Sequence, residues 1–240
     1  MNRPVLSAAE IADFARDGYL IPRHRLSREQ VARIQSLTDA LLAANPHLGD
    51  TPMVCPHMPA GGAQGLKGDR AWLEFSTDPD ILDMVEQLIG PDIILWGTNL
   101  FAKPARTGRK VPFHRDGRYW PIDPLATVTV WIAVEDTSKQ NGCLRVVPGS
   151  HRRGEIGPHY TSDRPEDLIP ETLDESAYDP ASAVDIELEA GQMALFDVFT
   201  IHCSNANPSD RRRVGYAMRY MPSTSRFDHG SAADRLYGNG

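Results

Sequence analysis

The chain is poor in cysteine. Its 240 residues include three, Cys55, Cys143 and Cys203, odd in number, far apart and without a CxxC pair. That excludes a zinc knuckle or a disulfide framework and fits thiols kept reduced in a cytoplasmic setting. No run of about 20 apolar residues occurs, so no membrane span is expected. The opening MNRPVLSAAEIADFARDGYL lacks a long apolar stretch and reads as an amphipathic helix rather than a signal peptide. A basic excess is missing too, with 25 Lys and Arg against 32 Asp and Glu and a formal charge of −7. This balance gives no general attraction to nucleic acid or an anionic membrane and leaves room for a local basic pocket; the small-molecule substrate expected as partner comes from the site residues below. Internal repeats and low-complexity linkers are also absent.

What is present is a globular composition, 41% hydrophobic and 24% charged. One domain over residues 1–240 is expected, because barrels and sandwiches reach this length undivided. Helices come first. Ser7 and Glu10 form a capping box ahead of AAEIADFARDG, and Gly18 ends that helix. Ser27 caps a second helix whose apolar stripe is Val31, Ile34, Leu37, Leu41 and Leu42. Residues 45–70 read as a long loop, and DPDILDMVEQLIG as a third helix ending near Gly90.

From Ile93 the pattern changes. DIILWGTNLFAKP, TVTVWIAV, VDIELEAGQMALFD, FTIHCS and RRVGYAMRYMP are strand-like runs separated by turns. Residues 152–182, acidic and proline-rich, read as an insertion, and SRFDHGSAADRLYGNG as a loosely packed tail. The order predicts a mainly β protein with flanking helices. Its helical part covers about 1–90 and its core, a double-sheet barrel, about 91–225.

The most informative segment is VPFHRDGRYWP. His114 and Asp116, two apart, share a face if both lie on a strand. His202 follows 88 residues later on the next plausible strand end, where sheet closure brings it beside them. Two imidazoles and a carboxylate on one face make a facial triad, leaving three positions at octahedral iron for a bidentate cosubstrate and oxygen. Eleven residues beyond His202 stands Arg213, which can hold a distant carboxylate bidentately, as an Fe(II) enzyme using 2-oxoglutarate requires. Arg211 and Arg212 compete for that role, and alternation sets only Arg212 on the opposite face.

These segments resemble the phytanoyl-CoA dioxygenase-like family of iron and 2-oxoglutarate dependent oxygenases over roughly residues 8–225. The resemblance rests on DGYL, HRDG, TVTVWIAVEDTSKQNGCLRVVPGSH, LEAGQMALFD and IHCSNANPSDRRRVGYAMRYMP. It implies a double-stranded β-helix, the cupin-like jelly roll, with His114, Asp116 and His202 as iron ligands and Arg213 as the cosubstrate clamp. It also implies molecular oxygen as the second cosubstrate. Related halogenases carry a small residue where Asp116 stands, so the carboxylate favours a hydroxylase.

The resemblance sets Thr129 and Trp131 near 2-oxoglutarate; otherwise they are strand core. Asn99 and Lys103 flank the first long strand and are candidates for the same cavity. Tyr119 and Trp120 either line the substrate mouth or pack the loop, and Arg145 and His151 either face substrate or serve structure. Cys143 and Cys203 read as small apolar residues. The competing functions are a noncatalytic cupin-like metal or small-molecule binding protein and an oxygenase that desaturates or cyclises its substrate.

Overall fold

The Ser7 hydroxyl accepts the Glu10 backbone N–H at 3.3 Å, and the Glu10 carboxylate accepts that of Ser7 at 2.8 Å. Ser27 and Gln30 repeat the exchange at 3.2 and 2.9 Å. Each pair satisfies backbone donors that a helix start leaves open. They begin helices α1 (Ala8–Asp17) and α2 (Arg28–Ala44) in a computed structural model that describes residues 4–60 and 64–228. Gly18 closes α1 in the left-handed conformation. A short α3 (Leu73–Ser76) precedes α4 (Pro79–Ile89), whose cap is Asp78.

The first strands are β1 (Tyr19–Leu20), β2 (Met53–Val54), β3 (Ile93–Lys103), β4 (Val111–His114) and β5 (Ile122–Asp123). Next come β6 (Val128–Ala133), β7 (Leu144–Val146), β8 (His159–Thr161), β9 (Glu171–Leu173) and β10 (Val184–Ile186). The last are β11 (Met193–Asp197), β12 (His202–Ser204), β13 (Arg213–Pro222) and β14 (Arg226–Phe227). One antiparallel sheet runs β1-β11-β6-β13-β3-β2 and a second runs β10-β7-β12-β4. Residues of both sheets, among them Trp131, Phe196, Leu144, Val146 and Ile186, share one apolar cluster.

Both faces of the larger sheet are covered, and the period of two sorts its side chains. Val214, Tyr216, Met218 and Tyr220 of β13 join Val128, Val130 and Ile132 of β6 in the core that includes Ile34, Leu37, Leu41, Ile81 and Met84 of the helices. The alternate set faces the second sheet. On β13 it is Arg213, Gly215, Ala217 and Arg219, with register partners Lys103, Phe101, Asn99 and Gly97 on β3. On the other side Ala133, Trp131 and Thr129 of β6 face Gly215, Ala217 and Arg219. Helix packing thus secures one face, and the other is left to build a site.

Several expectations are revised. VDIELEAGQMALFD is two strands, β10 and β11, separated by a turn at Gly191, whose φ is +85°. β4 escapes a periodicity search because it contains Pro112, tolerated since β4 lies at a sheet edge. The 45–70 stretch supplies β2, and the 152–182 insertion carries the β8–β9 hairpin. In the expected tail, Arg226–Phe227 pairs with Ile122–Asp123 and Phe227 packs 5.6 Å from Trp96; residues 229–240 lie outside the described residues. Among the described residues no helix is long and apolar enough to cross a membrane.

Candidate active site

His114 ends β4 and His202 begins β12, and the two are direct register partners. Asp116 is not on the strand. It opens a 3-10 turn, Asp116–Arg118, immediately after β4. The turn, rather than strand alternation, carries the carboxylate back toward the histidines. Gly117 lies in this turn, where a Cβ would press on the side-chain tips of Ile156 and Leu125 at 2.6 Å.

His114 Nε2 and His202 Nε2 lie 3.6 and 3.7 Å from Asp116 Oδ1, and the imidazole centroids are 4.2 Å apart. The three residues each offer a ligand atom, all within 4.8 Å of one another. The nitrogen–oxygen separations are long for hydrogen bonds; the atoms surround a common point. Each ring's other nitrogen is engaged. His114 Nδ1 donates to the Pro112 carbonyl at 2.9 Å and His202 Nδ1 to that of Thr200 at 3.0 Å. A carbonyl only accepts, so both protons sit on Nδ1 and both Nε2 lone pairs face the carboxylate.

Burial, with His114 beside it, pushes His202 down to about 4, so the ring is neutral near pH 7. Burial works to raise the Asp116 pKa, but His202, His114 and Arg219 outweigh it and hold the carboxyl below the usual range. Asp116 Oδ2 also accepts from the Thr129 hydroxyl at 3.4 Å. Thr129, expected beside a cosubstrate carboxylate, thus has its hydroxyl on Asp116.

The triad lies in a cavity of about 640 Å³, within the range of small-molecule sites. Arg213 lines it, 3% exposed. Its Nε donates to the Gly142 carbonyl at 3.0 Å, Nη2 reaches Ser204 Oγ at 3.5 Å, and the guanidinium lies 5.6 Å from the Trp131 ring. Among the described residues no carboxylate pairs with it. Burial lowers its pKa to about 10, still charged at neutrality. The ambiguity among three arginines disappears: Arg211 pairs with Asp136 at 3.6 Å, and Arg212 with Glu135 and Asp39 at 2.5 and 2.6 Å.

Lys103 is buried opposite Arg213 and donates to the Ser204 and Asn205 carbonyls at 3.2 and 2.5 Å. Burial, then the charge of Arg213, pushes it down to about 6, so it is mostly neutral at pH 7. Trp131 lies across Gly215, where a Cβ would come within 1.9 Å of its Cζ2. Tyr119 and Trp120 line the cavity; the Tyr119 hydroxyl donates to the Glu171 carbonyl at 3.1 Å, and Trp120 meets Trp96 edge-on at 4.6 Å.

Arg145 and His151 do not line this cavity. Arg145 pairs with Asp185, its β10 register partner, at 2.9 Å. His151 Nε2 contacts the Ala15 carbonyl at 3.2 Å, tying its turn to α1. Burial pushes the Cys143 and Cys203 thiols up to about 11 and 12, so neither is a thiolate at neutrality. Asn99 accepts from Arg219, a residue not singled out from the sequence. The signal was available: Arg219 is six residues from Arg213 on one strand, hence on the same face.

Two antiparallel sheets with two histidines and one carboxylate able to hold a metal form the double-stranded β-sheet core typical of the jelly-roll superfamily. The family model described as phytanoyl-CoA dioxygenase (PhyH) matches residues 14–215. The chain belongs to the phytanoyl-CoA dioxygenase family. It is 30% identical over 174 residues to the peroxisomal phytanoyl-CoA dioxygenase of Bos taurus, covering 68% of this chain and 50% of the bovine one. The chain thus spans half the length of that relative. Among solved structures it resembles the non-heme monooxygenase ThoJ in its apo form, with a TM-score of 0.73, 27% identity and coverage of 90% and 78% of the two chains. It shares its fold with EctD from S. alaskensis, solved with 2-oxoglutarate and 5-hydroxyectoine. That TM-score is 0.75 at 23% identity, covering 98% of this chain and 83% of EctD.

Proposed function

We propose that the chain is an Fe(II)- and 2-oxoglutarate-dependent oxygenase that hydroxylates a small organic substrate. The observation that carries this reading is Arg213, a buried guanidinium without a carboxylate, in the cavity that holds the triad. A buried charge is costly unless an anion meets it, and a second ligand carboxylate is what a 2-oxo diacid brings.

The donor set fits iron(II). Two neutral imidazoles with Nε2 lone pairs inward and one ionised carboxylate make a facial set that leaves coordination positions open. Bound iron and 2-oxoglutarate supply the oxidising chemistry, in which oxygen is consumed as 2-oxoglutarate becomes succinate and carbon dioxide. His114, Asp116 and His202 hold the metal, and Thr129 fixes the free oxygen of Asp116. Arg213 orients the far carboxylate, and the Trp131 ring supports the guanidinium from one side by a cation–π contact. Lys103, neutral and tied to two carbonyls, keeps Arg213 the dominant positive charge there. Tyr119 and Trp120 wall the metal side from water. The two sheets act as one double-stranded β-helix domain behind a helical part of about 1–90, and the free thiols suit a cytoplasmic setting.

The test is calorimetry of 2-oxoglutarate binding to Mn(II)-loaded protein without oxygen. Arg213→Met should weaken binding by about 30-fold or more, as truncating one member of a buried charge pair does. Arg211→Met, which removes an exposed arginine, should leave it unchanged. Equal affinity in the parent and Arg213→Met would reject the clamp.

A further inference from the structure

Arg219 is a second buried cation in the same cavity. It is 8% exposed and lines the cavity wall. Its Nη1 donates to Asn99 Oδ1, while its buried Nε has no hydrogen-bond partner. No carboxylate lies within ion-pair distance among the described residues, Asp116 included. Its guanidinium stands 5.1 Å from the Trp120 ring and 6.0 Å from that of Trp96. Two indole faces and one amide offset only part of the cost of burying a guanidinium.

Placement indicates what is missing. Arg219 is the register partner of Thr129, whose hydroxyl holds Asp116, so it stands on the metal side of the cavity. Arg213 is six residues away on the same strand, roughly 20 Å between Cα atoms at about 3.3 Å per residue. A carboxylate clamped at Arg213 therefore leaves Arg219 without an anion in contact, its charge reaching Asp116 only at longer range. With Nη1 committed to Asn99 and Nε buried, Nη2 is the donor left open, and it can meet a carboxylate oxygen in a charge-assisted hydrogen bond. Trp120, beside the guanidinium, offers a flat apolar ring, and Pro121 and Ile169 are further apolar members of the cavity lining.

Resting on the oxygenase reading of this cavity, we infer that Arg219, oriented by Asn99, binds the carboxylate of the primary substrate, a small organic acid with a flat apolar body. The acid enters charged, its carboxylate meets Nη2 of Arg219, and its body lies along Trp120 within reach of the metal. Arg213 selects the cosubstrate and Arg219 the substrate. The two arginines divide two anions between the ends of one strand.

Calorimetry on Mn(II)-loaded protein saturated with 2-oxoglutarate tests this with benzoate and benzamide as probes. Benzoate should bind the parent, and benzamide at least about tenfold more weakly, as the loss of a charge-assisted pair requires. Arg219→Met should weaken benzoate by about 30-fold and leave 2-oxoglutarate affinity within about threefold. Asn99→Asp keeps the arginine but gives it an internal anion, and it too should abolish benzoate binding; it serves if Arg219→Met does not fold. The inference is overturned if benzoate fails to bind the parent, if benzamide binds equally, or if benzoate affinity survives both substitutions. It is also overturned if Arg219→Met loses 2-oxoglutarate as Arg213→Met does, because Arg219 then belongs to the cosubstrate. Failure of the oxygenase reading looks different: 2-oxoglutarate itself does not bind, or binds regardless of Arg213.

Discussion

Gly215→Ala adds one methyl group to the middle of β13. In an open strand the change is favourable, since glycine carries a backbone entropy cost of roughly 0.5–1 kcal/mol relative to alanine. Here the new Cβ would stand 1.9, 2.2 and 2.6 Å from Cζ2, Cε2 and Cη2 of Trp131. These are ring atoms of a buried indole, which cannot yield by a small rotation as a flexible side-chain tip can. Overpacking of this kind costs about 1–3 kcal/mol and should outweigh the entropy gain. Displacing the indole also removes its contact with Arg213, now 5.6 Å from the ring. That contact contributes about 0.5–2 kcal/mol, so 2-oxoglutarate affinity should fall roughly 2- to 30-fold. Urea unfolding and calorimetry read the two effects separately. In a Trp131→Leu background, the stability cost of Gly215→Ala should shrink to within about 0.5 kcal/mol, since the two sites interact only through the indole. A Gly215→Ala protein as stable as its parent and equally tight for 2-oxoglutarate would refute this geometry.

Thr129→Val keeps the volume and removes the hydroxyl from Asp116 Oδ2; at 3.4 Å the bond is long, so metal affinity should fall by about tenfold, the low end for such supporting contacts, in a Ni(II) titration. Lys103 is held down to about 6 in the fold, below its unfolded value. The unfolded chain therefore binds an extra proton above about pH 6. The burial penalty is fully present below that pH and declines as pH rises toward the unfolded pKa. Between about pH 7 and 9, urea unfolding of the ligand-free parent should gain up to ~1.4 kcal/mol of stability per pH unit relative to Lys103→Met. Parallel pH profiles would contradict the assignment.

The helices were legible because their signals are local. The capping box at Ser7, the cap at Ser27 and the glycine after α1 specify ends without reference to the rest of the chain. The long strands β3, β6 and β13 were legible as apolar runs, but their faces were not. Burial on both sides hides the alternation, so the inward set of Arg213, Gly215, Ala217 and Arg219 emerges only from the register. The triad was found through residue type and spacing, although Asp116 reaches it from a turn rather than along a strand. Arg145 and His151 illustrate the opposite limit. Sequence proximity to a site segment says nothing about direction, and Arg145 turns to Asp185 across its own sheet. Spacing alone left Arg213 level with Arg211, and only the family resemblance picked it; the physical contrast comes from distant segments, Asp136 beside Arg211 and Glu135 and Asp39 beside Arg212.

Succinate formation decides whether this cavity is an oxygenase centre. Parent protein and Asp116→Ala are each incubated with Fe(II), 2-oxoglutarate and air, and succinate is quantified over time. An oxygenase centre built on His114, Asp116 and His202 yields succinate in the parent and none above background in the variant. Equal succinate in both, or none from a parent with 2-oxoglutarate bound, would contradict it.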